Sequence, residues 1–133
     1  MLAGRRDLIE RAVRYRRMFG GAMRQAGLLA AAGLHALDHH MARLAEDHAN
    51  ARILAEALAA NPKVDLDLAT VQTNIVVFHL RLGAPDAATV VQRAAERGVL
   101  LFAFGARTLR AVTHLDVSAE ECGRAGAILA ETI

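Results

Sequence analysis

The chain has 133 residues, of which 54% are hydrophobic. That length supports the core of one domain, or of part of a larger one, and excludes a complete two-domain cofactor enzyme. The formal net charge is only +2, but residues 1–24 hold seven arginines against Asp7 and Glu10. Any phosphate or carboxylate would therefore be drawn to this N-terminal stretch.

The cysteine content and the apolar runs bear on the cellular compartment. Cys122 is the only cysteine, so no internal disulfide can form, which is typical of a reducing compartment. Charges from Arg5 onward interrupt any signal-peptide pattern, and the longest uncharged stretch, residues 25–37, is too short to span a bilayer. We expect a soluble, cytoplasmic protein with no membrane partner.

The first half of the chain has the pattern of helices. Apolar residues at helical spacing predict an amphipathic helix from Arg5 to about Met18, which Gly20-Gly21 ends. A longer helical region is predicted from about residue 22 to residue 60, with room for a kink around residues 38–40. Asn61-Pro62-Lys63 is a helix stop.

The second half alternates strands with helices. Pro85-Asp86 opens a helix that Gly98 closes, and Ser118 with Glu121 forms a capping box for the last helix. Four segments rich in apolar or β-branched residues predict strands, namely Val64–Leu68, Asn74–Leu80, Val99–Phe104 and Thr108–Leu115. This order predicts an α+β layer, with an antiparallel or mixed sheet and helices against one face.

Two segments carry the most specific signal. Residues 105–118 read GARTLRAVTHLDVS, and residues 14–27 read RYRRMFGGAMRQAG. Both resemble signatures of the L-threonine aldolases, which are pyridoxal-phosphate enzymes of fold type I, and they occur in the family's order. The resemblance covers nearly the whole chain and implies the C-terminal portion of such an enzyme. It implies linking or interface helices over residues 1–60, after a strand remnant, and the small α+β domain over residues 61–133.

The resemblance implies a role for Arg110. In the family, the arginine two residues before Val-Thr-His binds the carboxylate of the amino-acid substrate, and Arg110 occupies that position. A guanidinium on a rigid strand can make two parallel hydrogen bonds to a carboxylate. Without the resemblance, a surface arginine paired with a nearby acid is the ordinary interpretation. Arg107 lies off the family's pattern and is expected to line the loop.

The first segment implies contacts to the cofactor phosphate. By resemblance, Arg24 reaches the phosphate of pyridoxal phosphate in a neighbouring subunit, and Arg17 stands where many members have lysine. A helix that begins near Ala22, after Gly20-Gly21, would also present free backbone N–H groups to an anion. Ala22 departs from the family, which has a third glycine there.

Lys63 is the only lysine of the chain. The family's Schiff-base lysine lies upstream of the first segment, and Lys63 follows Asn61-Pro62 in a connector that predicts an exposed side chain. We therefore reject Lys63 as a substitute, since such a lysine needs an apolar, preorganised pocket. The isolated chain is expected to be inactive unless a chain carrying the large domain joins it.

The remaining candidate groups indicate no separate chemistry. His35 and His39 have i, i+4 spacing, but no glutamate lies between them and no distant third ligand is evident, so we predict no metal site. His114 is expected to be hydrogen-bonded near Asp116. Cys122 lacks flanking groups that would activate a thiol, and we expect it to be half-buried.

Three functions remain to be compared. The first is the C-terminal part of a lyase that cleaves β-hydroxy-α-amino acids to glycine and an aldehyde. The second is a non-catalytic domain that oligomerises through its Ala-rich helix, residues 21–37. The third is an RNA-binding module built on the arginine-rich first helix. It is disfavoured because only Tyr15 and Phe19 could stack on bases, so no nucleic-acid partner is expected.

Overall fold

The computed structural model describes residues 2–133. The chain divides into two compact units, one ending at Met41 and the other running from Ala42 to Ile133. The first unit contains helices α1 (Arg6–Met18) and α2 (Gly27–His39), and the second begins with α3 (Leu44–Ala59). The domain boundary at residue 60 stays a prediction, although α3 here packs with the sheet unit.

Gly20 and Gly21 end α1 as predicted, and they do so through backbone hydrogen bonds. Gly20 has φ +74, a left-handed conformation that glycine adopts without steric cost. Its N–H donates to the carbonyl of Arg17 (3.2 Å), and the N–H of Gly21 donates to the carbonyl of Arg16 (2.8 Å). This pair of bonds is the Schellman motif of helix C-termini.

The predicted continuous helix over residues 22–60 is wrong. Residues 22–26 lie in a loop and turn in which Gln25 has φ +53, so α2 begins only at Gly27. A second turn separates His39 from Leu44, in place of the kink. The reason is that α3 is held by its own contacts within the second unit. A periodic apolar pattern indicates helical spacing but does not show where one helix ends and the next begins.

The second unit is built on a four-stranded antiparallel sheet. The strands are β1 (Val64–Asp65), β2 (Ile75–Leu80), β3 (Phe102–Gly105) and β4 (Thr108–Val112). Their order in the sheet is β1-β2-β4-β3, and helices α4 (Ala87–Glu96) and α5 (Ala119–Thr132) complete the unit. The first predicted strand is shorter than expected, because Leu68–Thr70 forms a 3₁₀ turn that Asp67 caps. The α+β fold class is confirmed.

Alternation along the strands sends one set of side chains into the core. Val76, Phe78 and Leu80 of β2 are buried, as are Leu109 and Ala111 of β4. They form one apolar cluster with Leu54, Leu58, Val90 and Leu129 from the helices. Because successive side chains of a strand point to opposite faces, the helices cover one face of the sheet only.

The capping box of α5 is confirmed. The N–H of Ser118 donates to the carboxylate of Glu121 (2.8 Å), and the N–H of Glu121 donates to the hydroxyl of Ser118 (3.3 Å). The N–H of Ser118, and its hydroxyl, which also donates to this carboxylate (2.8 Å), stabilise the ionised form and lower the pKa of Glu121. The box fixes where the chain leaves the Val-Thr-His segment and enters the last helix.

Helices α3 and α5 approach closely at Gly126. A Cβ atom on Gly126 would lie 2.6 Å from Cβ of Ala57, whereas a Cβ atom on Gly123, in the same helix, would meet nothing within 4 Å. Gly126 is buried and Gly123 is exposed. The small residue at position 126 therefore sets the distance between the two helices.

We predict opposite effects for alanine at these two glycines. Gly126→Ala should destabilise the second unit by about 1–3 kcal/mol, because the added methyl group overpacks the interface. Gly123→Ala should stabilise it by about 0.5–1 kcal/mol, because alanine has the higher helix propensity. Urea unfolding followed by circular dichroism measures both. Equal stabilisation by the two substitutions would contradict the packing of α3 on α5.

Candidate functional site

The sheet face opposite the helices is apolar and open. Its large apolar side chains keep between 43% and 58% of their surface exposed, and they are Ile75, Val77, Val112, Phe102 and Phe104. Isolated exposed apolar residues are ordinary, but a contiguous apolar patch marks a binding or docking surface. Arg110 of β4 lies in the middle of this open face.

The strand register fixes the neighbours of Arg110. Val77 of β2 and Phe102 of β3 are its cross-strand partners on either side, and directly paired residues share one face of a sheet. The guanidinium carbon lies 4.8 Å from the ring centre of Phe104 and 5.6 Å from that of Phe102. Both distances are within the range of a cation–π interaction.

Arg110 has no acceptor in the part of the chain that the structure describes. No hydrogen bond or ion pair joins it to any residue from 2 to 133, and its Nε atom is buried without a partner. Arg43 and Arg107 are likewise partly buried, but both are paired with acceptors. A surface arginine is ordinarily paired with an acidic side chain. Arg110 has no such partner among the described residues.

Arg107 has a different environment. Its Nε donates to the carbonyl of Leu80 (2.8 Å), and a terminal nitrogen donates to the carbonyls of Arg81 and Ala84. These bonds join the β3–β4 turn to the loop that follows β2. Arg107 is thus occupied by the loop, in keeping with the expectation from the sequence.

The end of β4 is held by Thr113. Its hydroxyl donates to the carbonyl of Asp47 in α3 (2.6 Å), and its N–H donates to the carbonyl of Asn74 (3.0 Å). The amide of Asn74 donates back to the carbonyl of Thr113 (2.7 Å). His114 is largely exposed, with Nδ1 3.7 Å from Asp116, an ion-pair distance rather than the predicted hydrogen bond. The threonine of Val-Thr-His therefore has the structural role here.

The predicted phosphate contacts lie in the first unit. Arg17 is on α1 and Arg24 is in the turn before α2, both are exposed, and neither is paired with a residue between 2 and 133. The expectation that Gly20-Gly21 offers free amides at a helix start is wrong. Those amides cap α1, and α2 begins at Gly27, so Arg24 precedes the helix. The cofactor role of both arginines stays a prediction.

Lys63 and Cys122 are tied to the fold. The Lys63 residue is exposed, as predicted, but its Nζ donates to the backbone carbonyl of Ile133 (2.8 Å). Cys122 is buried rather than half-buried, with 4% of its surface exposed. Burial raises the pKa of the Cys122 thiol, with a smaller contribution from Glu121, and disfavours the reactive thiolate.

The histidines form a small ring cluster. The His35 ring centre lies 4.4 Å from that of His39 and 5.4 Å from that of His40. Within residues 2–133, no group of three His, Cys, Asp or Glu side chains has an arrangement that could hold a metal ion. Over the same residues, every helix is too short or too polar to cross a membrane.

Sequence reasoning missed the other members of the open face. His79 Nδ1 lies 3.0 Å from the hydroxyl of Thr108, and this pair occupies the row of the sheet next to Arg110. Phe102 and Phe104 were recognised only as part of a strand. Their i, i+2 spacing indicated a shared face, but nothing in the sequence indicated which strand would pair with β3.

The chain is similar in sequence to several known proteins. A sequence profile described as "Beta-eliminating lyase" matches residues 1–81. The chain belongs to the beta-eliminating lyase family. Low specificity L-threonine aldolase of Escherichia coli K12 is 43% identical over 127 residues, which cover 96% of this chain and 36% of that protein. The predicted resemblance to threonine aldolases is confirmed.

A plant threonine aldolase is also similar to this chain. Low-specificity L-threonine aldolase 1 of Arabidopsis thaliana is 31% identical over 122 residues, covering 91% of this chain and 34% of that protein. The 133-residue chain thus spans about a third of the length of the curated relatives it matches.

One solved structure has a similar fold. MppP, soaked with the product 2-ketoarginine, matches with a TM-score of 0.56 and 17% identity, over 72% of this chain and 29% of its own. At that identity the match concerns the fold alone. It supports the predicted class, an α+β small domain of a fold type I enzyme with its preceding helices.

The two arginines of the β4 segment should differ in their effect on stability. Arg107→Ala should lower the free energy of unfolding by about 1–3 kcal/mol, because the carbonyls it bridges lose their donor. Arg110→Ala should change it by less than about 1 kcal/mol, because only ring contacts are lost. Chemical denaturation of the two variants measures the difference. A larger loss for Arg110→Ala would mean that Arg110 is mainly structural.

Proposed function

We propose that this chain is the C-terminal portion of a pyridoxal-phosphate-dependent lyase of the threonine-aldolase type. The whole enzyme would cleave a β-hydroxy-α-amino acid to glycine and an aldehyde. The observation that carries the proposal is the state of Arg110, a partly buried arginine on an open sheet face with no acceptor among the described residues. The family relationship supplies the reaction class.

In this proposal Arg110 anchors the substrate. A carboxylate needs two parallel donors, and a guanidinium supplies them in a fixed plane. Because the protein leaves those donors unpaired, a substrate carboxylate would displace no internal salt bridge. Once the carboxylate is held, the remaining bonds of the substrate Cα are oriented, which is how positioning contributes to the cleavage of one of them.

The residues of the first unit fit a cofactor phosphate. Arg24 and Arg17 are exposed cations without partners among the described residues, so both are available to a phosphate presented by another segment or chain. Lys63 does not fit the attachment role, because its amine already donates to Ile133. When bound, pyridoxal phosphate supplies an electron sink for the pair released as the Cα–Cβ bond breaks. The residues of this chain would bind the substrate carboxylate and the cofactor phosphate and would orient the substrate.

The decisive experiment uses an assembled enzyme, made by fusing the large domain of a relative ahead of this chain or supplying it in trans. Arg110→Ala should lower kcat/KM for threonine cleavage about 30- to 1000-fold, because it removes a bidentate contact to the substrate carboxylate. Arg110→Lys should recover only part of the loss, since an ammonium cannot form two parallel bonds.

Two matched variants complete this test. Arg24→Ala should weaken retention of the cofactor, whereas Arg110→Ala should leave retention nearly unchanged. Arg107→Ala should act through stability rather than through substrate binding. If Arg110→Ala left cleavage intact while Arg107→Ala abolished it in a folded protein, the assignment of the anchor to Arg110 would be wrong.

The chain by itself should neither attach pyridoxal phosphate at Lys63 nor cleave threonine. The reason is that Lys63 lies on an exposed connector with its amine engaged, and not in the apolar, preorganised pocket that such a lysine needs. Borohydride reduction after incubation with the cofactor, followed by peptide mapping, measures attachment. A stoichiometric label on Lys63 would overturn this expectation.

A second function, a non-catalytic oligomerisation domain, rests on a separate observation. Helix α2 has no buried residue, and four of its leucines are 46–74% exposed, namely Leu28, Leu29, Leu34 and Leu37. Such a surface favours self-association. Sedimentation should show a dimer or larger species, and Leu28→Glu with Leu34→Glu should shift it to monomer. A monomer at tens of micromolar would disfavour this function.

A further inference from the structure

The surroundings of Arg110 point to a device that orients it. Phe102 and Phe104 are separated by two positions on β3, and both rings lie on the open face beside the guanidinium. More than half of each side chain surface is exposed, 57% and 58%. Neither ring is therefore required to fill the core, and large aromatic side chains left so exposed call for another explanation.

The two rings form one unit. Their centres are 5.4 Å apart and their planes meet at 80°, the edge-to-face arrangement that aromatic pairs prefer. Each ring restricts the other, so the surface that they present to Arg110 is better defined than that of a single exposed ring. An aliphatic side chain at either position would supply bulk without the negative ring face that attracts a cation.

A β-bulge brings the second ring over the guanidinium. Phe102 pairs with Arg110 and Ala103 with Leu109, but Gly105, and not Phe104, pairs with Thr108. The extra residue lies between Ala103 and Gly105, and bulges are known to re-aim a side chain in this way. The guanidinium is nearer to Phe104, next to this shift (4.8 Å), than to its direct cross-strand neighbour Phe102 (5.6 Å).

The rings also take the place of a hydrogen-bond partner. Arginines that must keep one orientation are usually held by carboxylates or carbonyls, as Arg107 is in this chain. Arg110 has no such acceptor among the described residues, and its Nε is buried. A ring face holds a guanidinium while leaving its terminal N–H groups available, which a carboxylate does not.

We propose that Phe104, supported by Phe102, is a positioning residue for Arg110, which it keeps oriented to receive a ligand carboxylate. The inference rests on the proposed function of Arg110 as a carboxylate anchor. Its physical basis is preorganisation: an arginine side chain that is already ordered loses less conformational freedom when it binds. Replacing the ring should therefore weaken carboxylate binding without exposing the core.

The test uses the intact 133-residue chain and nuclear magnetic resonance of the arginine Nε–Hε groups, with Arg110→Lys to assign the signal. The Arg110 Hε signal should be shifted upfield by the ring currents and exchange slowly with water, because its Nε is buried. Phe104→Leu should abolish the shift. Phe102→Leu should reduce it less, and Phe104→Tyr should keep it. Phe19→Leu removes an exposed aromatic ring at the C-terminal end of α1 and is the matched control.

Sodium acetate, titrated against sodium chloride at equal ionic strength, then measures carboxylate binding at Arg110. Phe104→Leu should raise the dissociation constant about two- to tenfold, and Phe104→Tyr and Phe19→Leu should leave it unchanged. A thermal melt confirms that each variant is folded. A ring-shifted Arg110 signal that acetate does not move would overturn the proposed anchor. An Arg110 signal and acetate affinity unchanged in folded Phe104→Leu would overturn the positioning role alone.

Discussion

The antiparallel pairing of β2 with β4 is the constraint on which the rest of the second unit depends. It places Phe78 opposite Leu109 and Val77 opposite Arg110. Because side chains alternate along a strand, this single register sends Phe78 and Leu109 into the core and leaves Arg110 on the open face. A shift of the β2–β4 pairing by one residue would bury the arginine and expose Phe78 and Leu109. The hydrophobic effect therefore disfavours any register that moves Arg110 off the open face.

The register is maintained at both ends of β4 by polar contacts. At one end Arg107 bridges the backbone carbonyls of the neighbouring loop, and at the other Thr113 bonds to α3 and to the segment before β2. These two residues thus fix the ends of the strand, and Arg110 between them has no acceptor among residues 2–133. Two arginines three residues apart thus differ in their surroundings: Arg107 is bonded to backbone carbonyls, whereas Arg110 lies on the open sheet face.

The first unit has a different character. Its helices bury no residues, and its loop of small residues is organised by the Schellman motif at Gly20 and Gly21. The positive charge of this unit, noted from the sequence, stays on the surface at Arg17 and Arg24. Its exposed leucines and the cations Arg17 and Arg24 have no partner among the described residues, and the whole chain spans about a third of the length of the curated relatives it matches.

Local chemistry in the sequence determined much of this protein. The capping box at Ser118 and Glu121, the glycine at position 98 with φ +82, and the β-branched, apolar run of β2 are all short-range features that the structure confirms. The family, and the choice of Arg110 as the anchor to be tested, followed from the segment at residues 105–118. These inferences succeeded or became testable because each depends on residues that are close together in the chain.

Tertiary structure decided what depends on distant residues. The break between α2 and α3 was predicted only as a kink, because α3 is fixed by contacts with Thr113 and Val117, which lie more than 60 residues away. The same reason applies to the candidate site: the aromatic pair beside Arg110 arises from the pairing of β3 with β4 and from a bulge that has no signature in the sequence. Periodicity specifies which residues share a face, but only packing specifies which faces meet and which side chains are left without a partner.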